Sequence, residues 1–186
     1  MTSIVCAGFG GQGVLTMGLI IAKTGMDIGE NVTWIPSYGS EMRGGTANCN
    51  VKVSQEEIGT PFVKEIDILI AMNAPSIDKF ENMLSANATV IINSSIIKDR
   101  DFREDIQVVS VDAIEISEQN DNIKGANIVM LGALARTGLL FGKDTLKAGV
   151  DGFFSLKGKN NPKNNSCFDH AFAAAKYHGT SVLRGL

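Results

Sequence analysis

Cysteine is scarce in this chain: Cys6, Cys49 and Cys167 are the only three in 186 residues, far apart and odd in number. That pattern excludes a disulfide framework and a C-x-x-C metal run, and it places the chain in a reducing, cytoplasmic setting. By itself the chain is expected to hold no iron–sulfur cluster and no structural zinc. Histidine is scarcer still. His170 and His178 have no Cys or carboxylate at ligand spacing, so both read as surface residues and no metal site is expected. A basic tract is also missing, and a formal charge of -3 offers no footprint for nucleic acid or an anionic membrane. From Met1 to Ala22 there is no charged side chain at all. No Lys or Arg precedes the apolar part and its middle is Gly-rich, which excludes a signal peptide and a membrane span. Nucleophile-elbow, Walker and zinc-protease motifs are absent, and Ser37 has no histidine expected near it, so no catalytic residue is assigned.

What is present is the balance of one soluble globular domain, residues 1–186, with 44% hydrophobic and 20% charged residues. Ile4 to Ala7 is a short apolar run typical of a strand covered on both faces. Val14, Leu15, Gly18, Leu19, Ala22 and Met26 then recur at helical spacing until Gly29. Asn31 to Ile35 reads as a second strand ended by Pro36. From Thr46 to Ser54 apolar and polar residues alternate, as in a half-exposed strand at or near a sheet edge. Strands are further expected over Asp67 to Met72, Thr89 to Ile92 and Gln107 to Val111. Helices are expected from Pro75 through Leu84, over Ala126 to Phe141, and from Cys167 to Gly179 behind a Ser166–Asp169 capping box. The alternation predicts an α/β, three-layer, Rossmann-like domain with a mainly parallel sheet and an antiparallel edge strand around Thr46 to Ser54.

Two segments stand out chemically. "GFGGQG" places Gly8, Gly10 and Gly13 after a strand and before a helix, where exposed amides and the helix dipole favour an anion. A dinucleotide fold also wants an acid closing the second strand, but that strand ends Ile35-Pro36, which argues against a nicotinamide cofactor. Gln12, among glycines, suggests a polar contact. The second segment, "PSYGSEMRGG", sets Tyr38, Glu41 and Arg43 among small residues beside the first loop. Arg43 suits a bidentate phosphate or carboxylate, while a self-contained Glu41–Arg43 pair on a solvated loop is the plainer alternative.

Taken together, "GFGGQGV", "PSYGSEMRGGTANCNVKVS", "DILIAMN" and "NIVMLGALARTGLL" closely resemble the gamma subunit of the 2-oxoacid:ferredoxin oxidoreductases, from Ser3 to about Gly179. The resemblance implies oxidative decarboxylation of a 2-oxoacid to its acyl-CoA, with electrons passed to ferredoxin. It implies alpha and beta partner subunits, with a ferredoxin-like delta subunit in some complexes. Thiamine diphosphate, magnesium and the iron–sulfur clusters would sit in those partners. The family motifs fall on Gly8, Gly10, Gly11, Gln12 and Gly13, and on Ser37, Tyr38, Gly39, Glu41, Arg43, Gly44 and Gly45. These residues are expected to line a subunit interface near the thiamine and coenzyme A region, with coenzyme A contact a hypothesis. Helix Ala126 to Phe141 and the strand near Thr46 are expected docking surfaces, and the isolated chain is open to self-association. "SEMRGGTANC" in a short gamma chain looks most like the 2-oxoglutarate branch. The pyruvate, branched-chain and indolepyruvate branches remain alternatives, as does a free-standing nucleotide-binding module.

Overall fold

The computed structural model describes residues 1–38 and 46–178. Its elements run β1 (Thr2–Phe9), α1 (Val14–Asp27), β2 (Asn31–Tyr38), β3 (Thr46–Ser54), β4 (Ile66–Ala71), α2 (Ala74–Phe80), β5 (Leu84–Asn93), β6 (Gln107–Val111), α3 (Ala113–Gln119), α4 (Ala126–Thr137), α5 (Lys143–Leu156), α6 (Pro162–Ala174) and β7 (Lys176–His178). The sheet order is β2-β3-β1-β4-β5-β6-β7. β1, β4, β5 and β6 pair in parallel, whereas β3 runs against both β1 and β2, and β7 runs against β6. The α/β class, the mainly parallel sheet and the antiparallel edge are thus as expected.

Alternation along the strands divides the core. Ile4, Cys6, Cys49, Val51, Ile68 and Ile70 meet Met17, Ile20, Ile21, Val129, Leu131 and Phe168 on the face that carries α1, α3, α4, α5 and α6. Val5, Ala7, Leu69, Val90 and Ile92 face Ile77, Phe80 and the segment containing Ile97 and Phe102 on the other. Period-2 strands with apolar residues on both faces require a layer on each side, since every such side chain left in water forfeits roughly 1.5–3 kcal/mol.

Several boundaries differ from the sequence expectation. β3 is not the edge: β2 is, and β3 lies between β2 and β1. Polar residues of β3 that looked solvent-facing are covered, Lys52 being buried with its Nζ donating to Thr60 O at 2.9 Å. Pro36 does not end β2, which continues to Tyr38. An edge strand tolerates the missing amide that a central strand would not. The helix expected through Leu84 stops at Phe80; a 3-10 turn, Glu81–Met83, follows and Leu84 opens β5. α4 stops at Thr137, because Gly138 takes a left-handed φ of 66°. α6 starts at Pro162, with Asn161 accepting from Lys163 N, so Ser166 is inside the helix and not its cap. Asp169, freed from that role, pairs with Lys143 and Lys147.

α4 corrects another expectation. Every residue from Asn127 to Ala135 is buried, and α1, α3, α5, α6 and the sheet supply the cover. Its all-round apolar sequence from Asn127 to Ala135 is thus satisfied within the chain and needs no partner to cover it.

Candidate functional site

The glycine loop joins β1 to α1, and its shape is dictated at its two ends. A Cβ on Gly8 would lie 2.6 Å from Gln12 Oε1, 2.8 Å from Met72 Cβ and 2.9 Å from Val14 Cγ1. Gly13 has φ +77°, and a Cβ there would meet Asn127 Nδ2 at 2.6 Å. Both positions therefore require glycine, one by space and one by conformation. The polar contact anticipated for Gln12 is internal: its Oε1 accepts from Phe9 N at 2.6 Å and from Asn73 Nδ2 at 3.3 Å. Asn127 Nδ2 donates to Gly13 O at 3.4 Å. Two asparagines from α2's cap and α4's first turn thus brace the loop, while Gly10 and Gly11 stay exposed.

Beside the loop, at the carboxyl ends of β1, β4, β5 and β6, opens a cleft of about 420 Å³. Gly11, Gln12, Gly13, Met72, Asn93 and Lys124 line it, and Ile96, Ile114 and Ile123 form an exposed apolar rim. This is the crevice where α/β sheets bind ligands. Two helices begin at it. α1 starts after Gly13 and α4 after Gly125, neither with a side-chain cap and neither with an acid in its first turn. Their free amides and dipoles give the cleft a positive bias, to which Lys124 adds a full charge. Asn93 is only 1% exposed. Its Oδ1 accepts from Ser95 N at 3.1 Å and Ala113 N at 3.2 Å, but its Nδ2 has no partner among the described residues. A buried donor left unpaired costs about 1–3 kcal/mol, so this atom suits an acceptor brought by a ligand.

The second motif reaches the same edge by a different route from the one expected. Gly8 and Tyr38 both pair with Ala47, and Ala7 and Ser37 both pair with Asn48. β3 therefore separates the two motif strands, which are not neighbours, and their ends lie about 10 Å apart, two strand spacings. Ser37 is exposed at that edge. Gly39, Glu41, Arg43, Gly44 and Gly45 lie outside the described residues.

Asn93, Lys124 and Met72 escaped the sequence reading because no motif joins them; they meet only because β4, β5 and the α3–α4 connection end at one edge. Their one sequence signal is position, just after an apolar strand or before an apolar helix. The histidines lie elsewhere: His170 Nδ1 meets Asn120 Nδ2 at 3.1 Å and His178 Nε2 meets Ser110 Oγ at 2.6 Å. Burial, with help from Lys176, holds the His178 imidazole below its usual pKa of 6.5. Among the described residues no group of three His, Cys, Asp or Glu could hold a metal ion, and no helix is long and apolar enough to cross a membrane.

Comparison with known proteins agrees with the motif resemblance. Residues 3–174 match the family model described as pyruvate ferredoxin/flavodoxin oxidoreductase. Ketoisovalerate oxidoreductase subunit VorA of Methanothermobacter marburgensis is 38% identical over 133 residues, 72% of this chain but 28% of that protein. This chain therefore spans less than a third of that relative's length. The 2-oxoglutarate synthase subunit KorC of Methanocaldococcus jannaschii is 27% identical over 173 residues and covers 91% of both chains. The solved 2-oxoglutarate:ferredoxin oxidoreductase from Magnetococcus marinus, with 2-oxoglutarate, coenzyme A and succinyl-CoA bound, superposes with a TM-score of 0.81 at 21% identity. That likeness covers 92% of this chain and 30% of the other. The chain belongs to the pyruvate ferredoxin/flavodoxin oxidoreductase family.

Proposed function

We propose that this chain is the gamma subunit of a complex that oxidatively decarboxylates 2-oxoglutarate to its acyl-CoA and passes the electrons to ferredoxin. Its part is to complete a site shared with alpha and beta subunits, and the carrying observation is the cleft beside the glycine loop. Among the described residues that cleft combines two uncapped helix starts, Lys124 and an unpartnered Asn93 Nδ2, and no nucleophile–base arrangement lines it. It suits binding an anionic group and not bond-breaking. Coenzyme A fits it chemically: phosphates for the amides and Lys124, an apolar arm for the isoleucine rim. Arg43 is a second cationic candidate from the neighbouring motif. Thiamine diphosphate with magnesium, and the iron–sulfur clusters, belong to partner subunits in this reading; three cysteines do not make a four-thiolate cluster site.

Two-sided coverage of KorC favours 2-oxoglutarate. The higher identity to VorA favours a branched-chain 2-oxoacid as the second reading. Purifying the native complex and assaying several 2-oxoacids with coenzyme A and a low-potential acceptor separates the two. Within that complex, Lys124→Ala is expected to weaken coenzyme A binding roughly tenfold, the equivalent of one charge-assisted contact of about 1.4 kcal/mol. Arg43→Ala is tested alongside, and unchanged affinity in both variants would remove coenzyme A from this surface. Tight binding of NAD(H) or adenine nucleotides to the isolated chain in calorimetry would instead favour a free-standing nucleotide module.

A further inference from the structure

Cys6 and Cys49 are distant in sequence but directly opposite one another in the antiparallel β1–β3 pair. Both are free, both are fully buried, and both point to the face that α1 covers. Opposed residues of an antiparallel pair have Cα atoms about 4.5 or 5.5 Å apart. That lies inside the span of about 4.4–6.8 Å that a disulfide bridges. The thiols are also unlike each other. Cys49 Sγ contacts Val14 O, the first residue of α1, at 3.4 Å. Its position against α1 is so close that a Cβ on Gly18 would lie 2.3 Å from the sulfur and 2.9 Å from Trp34 Nε1. That indole nitrogen is buried without a hydrogen-bond partner, a donor suited to a thiolate on Cys49. Pairing with Cys6 lowers the Cys49 pKa against the opposing effect of burial, while the same pairing and burial raise that of Cys6. One sulfur is set up to attack and the other to follow.

We propose that Cys6 and Cys49 form a redox-sensitive dithiol that closes to a cross-strand disulfide and thereby resets the glycine loop. The oxidant is a low-molecular-weight disulfide. Cys49 thiolate attacks one of its sulfurs, a Cys49–oxidant mixed disulfide forms, and the first small thiol leaves. Cys6, losing its proton, then attacks Cys49 Sγ and expels the second small thiol. Two electrons and two protons pass from the protein dithiol to the oxidant, which becomes two thiols. Entry is by opening of the exposed Phe9–Gly11 segment and the uncapped first turn of α1. The structural consequence follows from position: residues 8–13 and 37–45 both lie between Cys6 and Cys49, inside the ring that the bond closes. Drawing Cys49 Sγ toward Cys6 also removes its contact with Val14 O, at the point where the loop enters α1.

The test uses the full chain, incubated natively with oxidised glutathione, then alkylated in denaturant and mapped by mass spectrometry. The expected product is lighter by two hydrogens, with a Cys6–Cys49 peptide, an alkylated Cys167 and full reversal by dithiothreitol; the Cys6→Ser variant does not form it. Recovery of Cys6 and Cys49 both alkylated from wild-type protein would overturn the proposal, as would a bond to Cys167. Because the map is made on wild-type protein, it stands even where the variant does not fold. Amide exchange supplies the second readout. Residues 10–14 are expected to exchange faster in the oxidised chain, and identical exchange in both forms would show that the bond does not act on the loop.

Discussion

At the scale of single residues, the site is held by a few positions whose side chains, or lack of them, admit no substitute. Gly13→Ala puts a Cβ onto Asn127 Nδ2 at a φ of +77°. Such a backbone conformation costs roughly 1–3 kcal/mol for a non-glycine residue. Urea unfolding should therefore show a loss of at least that size, and an unchanged midpoint would mean that the loop relaxes freely. His178 offers a pH test. Its imidazole has a folded-state pKa below 6.5 through burial and Lys176, so the folded chain takes up that proton less readily than the unfolded one. The stability it confers is complete above the unfolded value of 6.5 and is lost as pH falls through the lowered folded pKa. The same imidazole meets Ser110 Oγ across the β6–β7 pair at 2.6 Å, so its protonation is felt at that pairing. Amide protection in β7 should decline on acidification below 6.5 in the wild type and stay flat in His178→Gln.

At the scale of elements, the glycine loop depends on helices that start far from it in sequence. Asn73 caps α2, accepting from Ser76 N at 3.0 Å and Ser76 Oγ at 2.7 Å, while its Nδ2 donates to Gln12. Asn73→Ala should cost about 0.5–2 kcal/mol through the lost cap. It should also speed amide exchange at Phe9, since the Gln12 side chain that accepts from Phe9 N loses its second anchor. Asn73→Asp keeps the cap oxygens but not the donor, so it should restore stability without restoring the loop. Element existence was mostly legible in the chain; element ends were not. Leu84 continues the helical spacing of Ile77 and Phe80, yet it opens β5, because its side chain completes the apolar face opposite α2. Leu139 and Phe141 extend the apolar run of α4, but Gly138 ends the helix in a left-handed turn. α3 and α5 gave no clear pattern of their own, and their places are set by packing on α4 and α1; Lys176–His178, expected inside a helix running to Gly179, instead leaves α6 at Ala174 and pairs with β6 as β7.

At the scale of the whole molecule, the exposed apolar rim beside the cleft is suited to a partner in the proposed complex. Ile123 is 80% exposed and makes little of its own fold. Ile123→Glu should leave the isolated chain's stability within about 0.5 kcal/mol of wild type. If this rim meets a partner, the same change should weaken assembly, seen as loss of co-purification. What the sequence determined by itself was the class of fold, the strand–glycine loop–helix start and the family. These rest on local patterns: period-2 and period-3.6 apolar spacing, and two motifs whose residues are contiguous. What only the tertiary structure decided was which strand is the edge, that α4 is covered by its own chain, and that Asn93 and Lys124 share a cleft with Gly13. Each of these depends on strand order and on contacts between distant segments. A chain can insert β3 between β1 and β2 without changing a single local preference, because pairing is fixed by the energy of the assembled core.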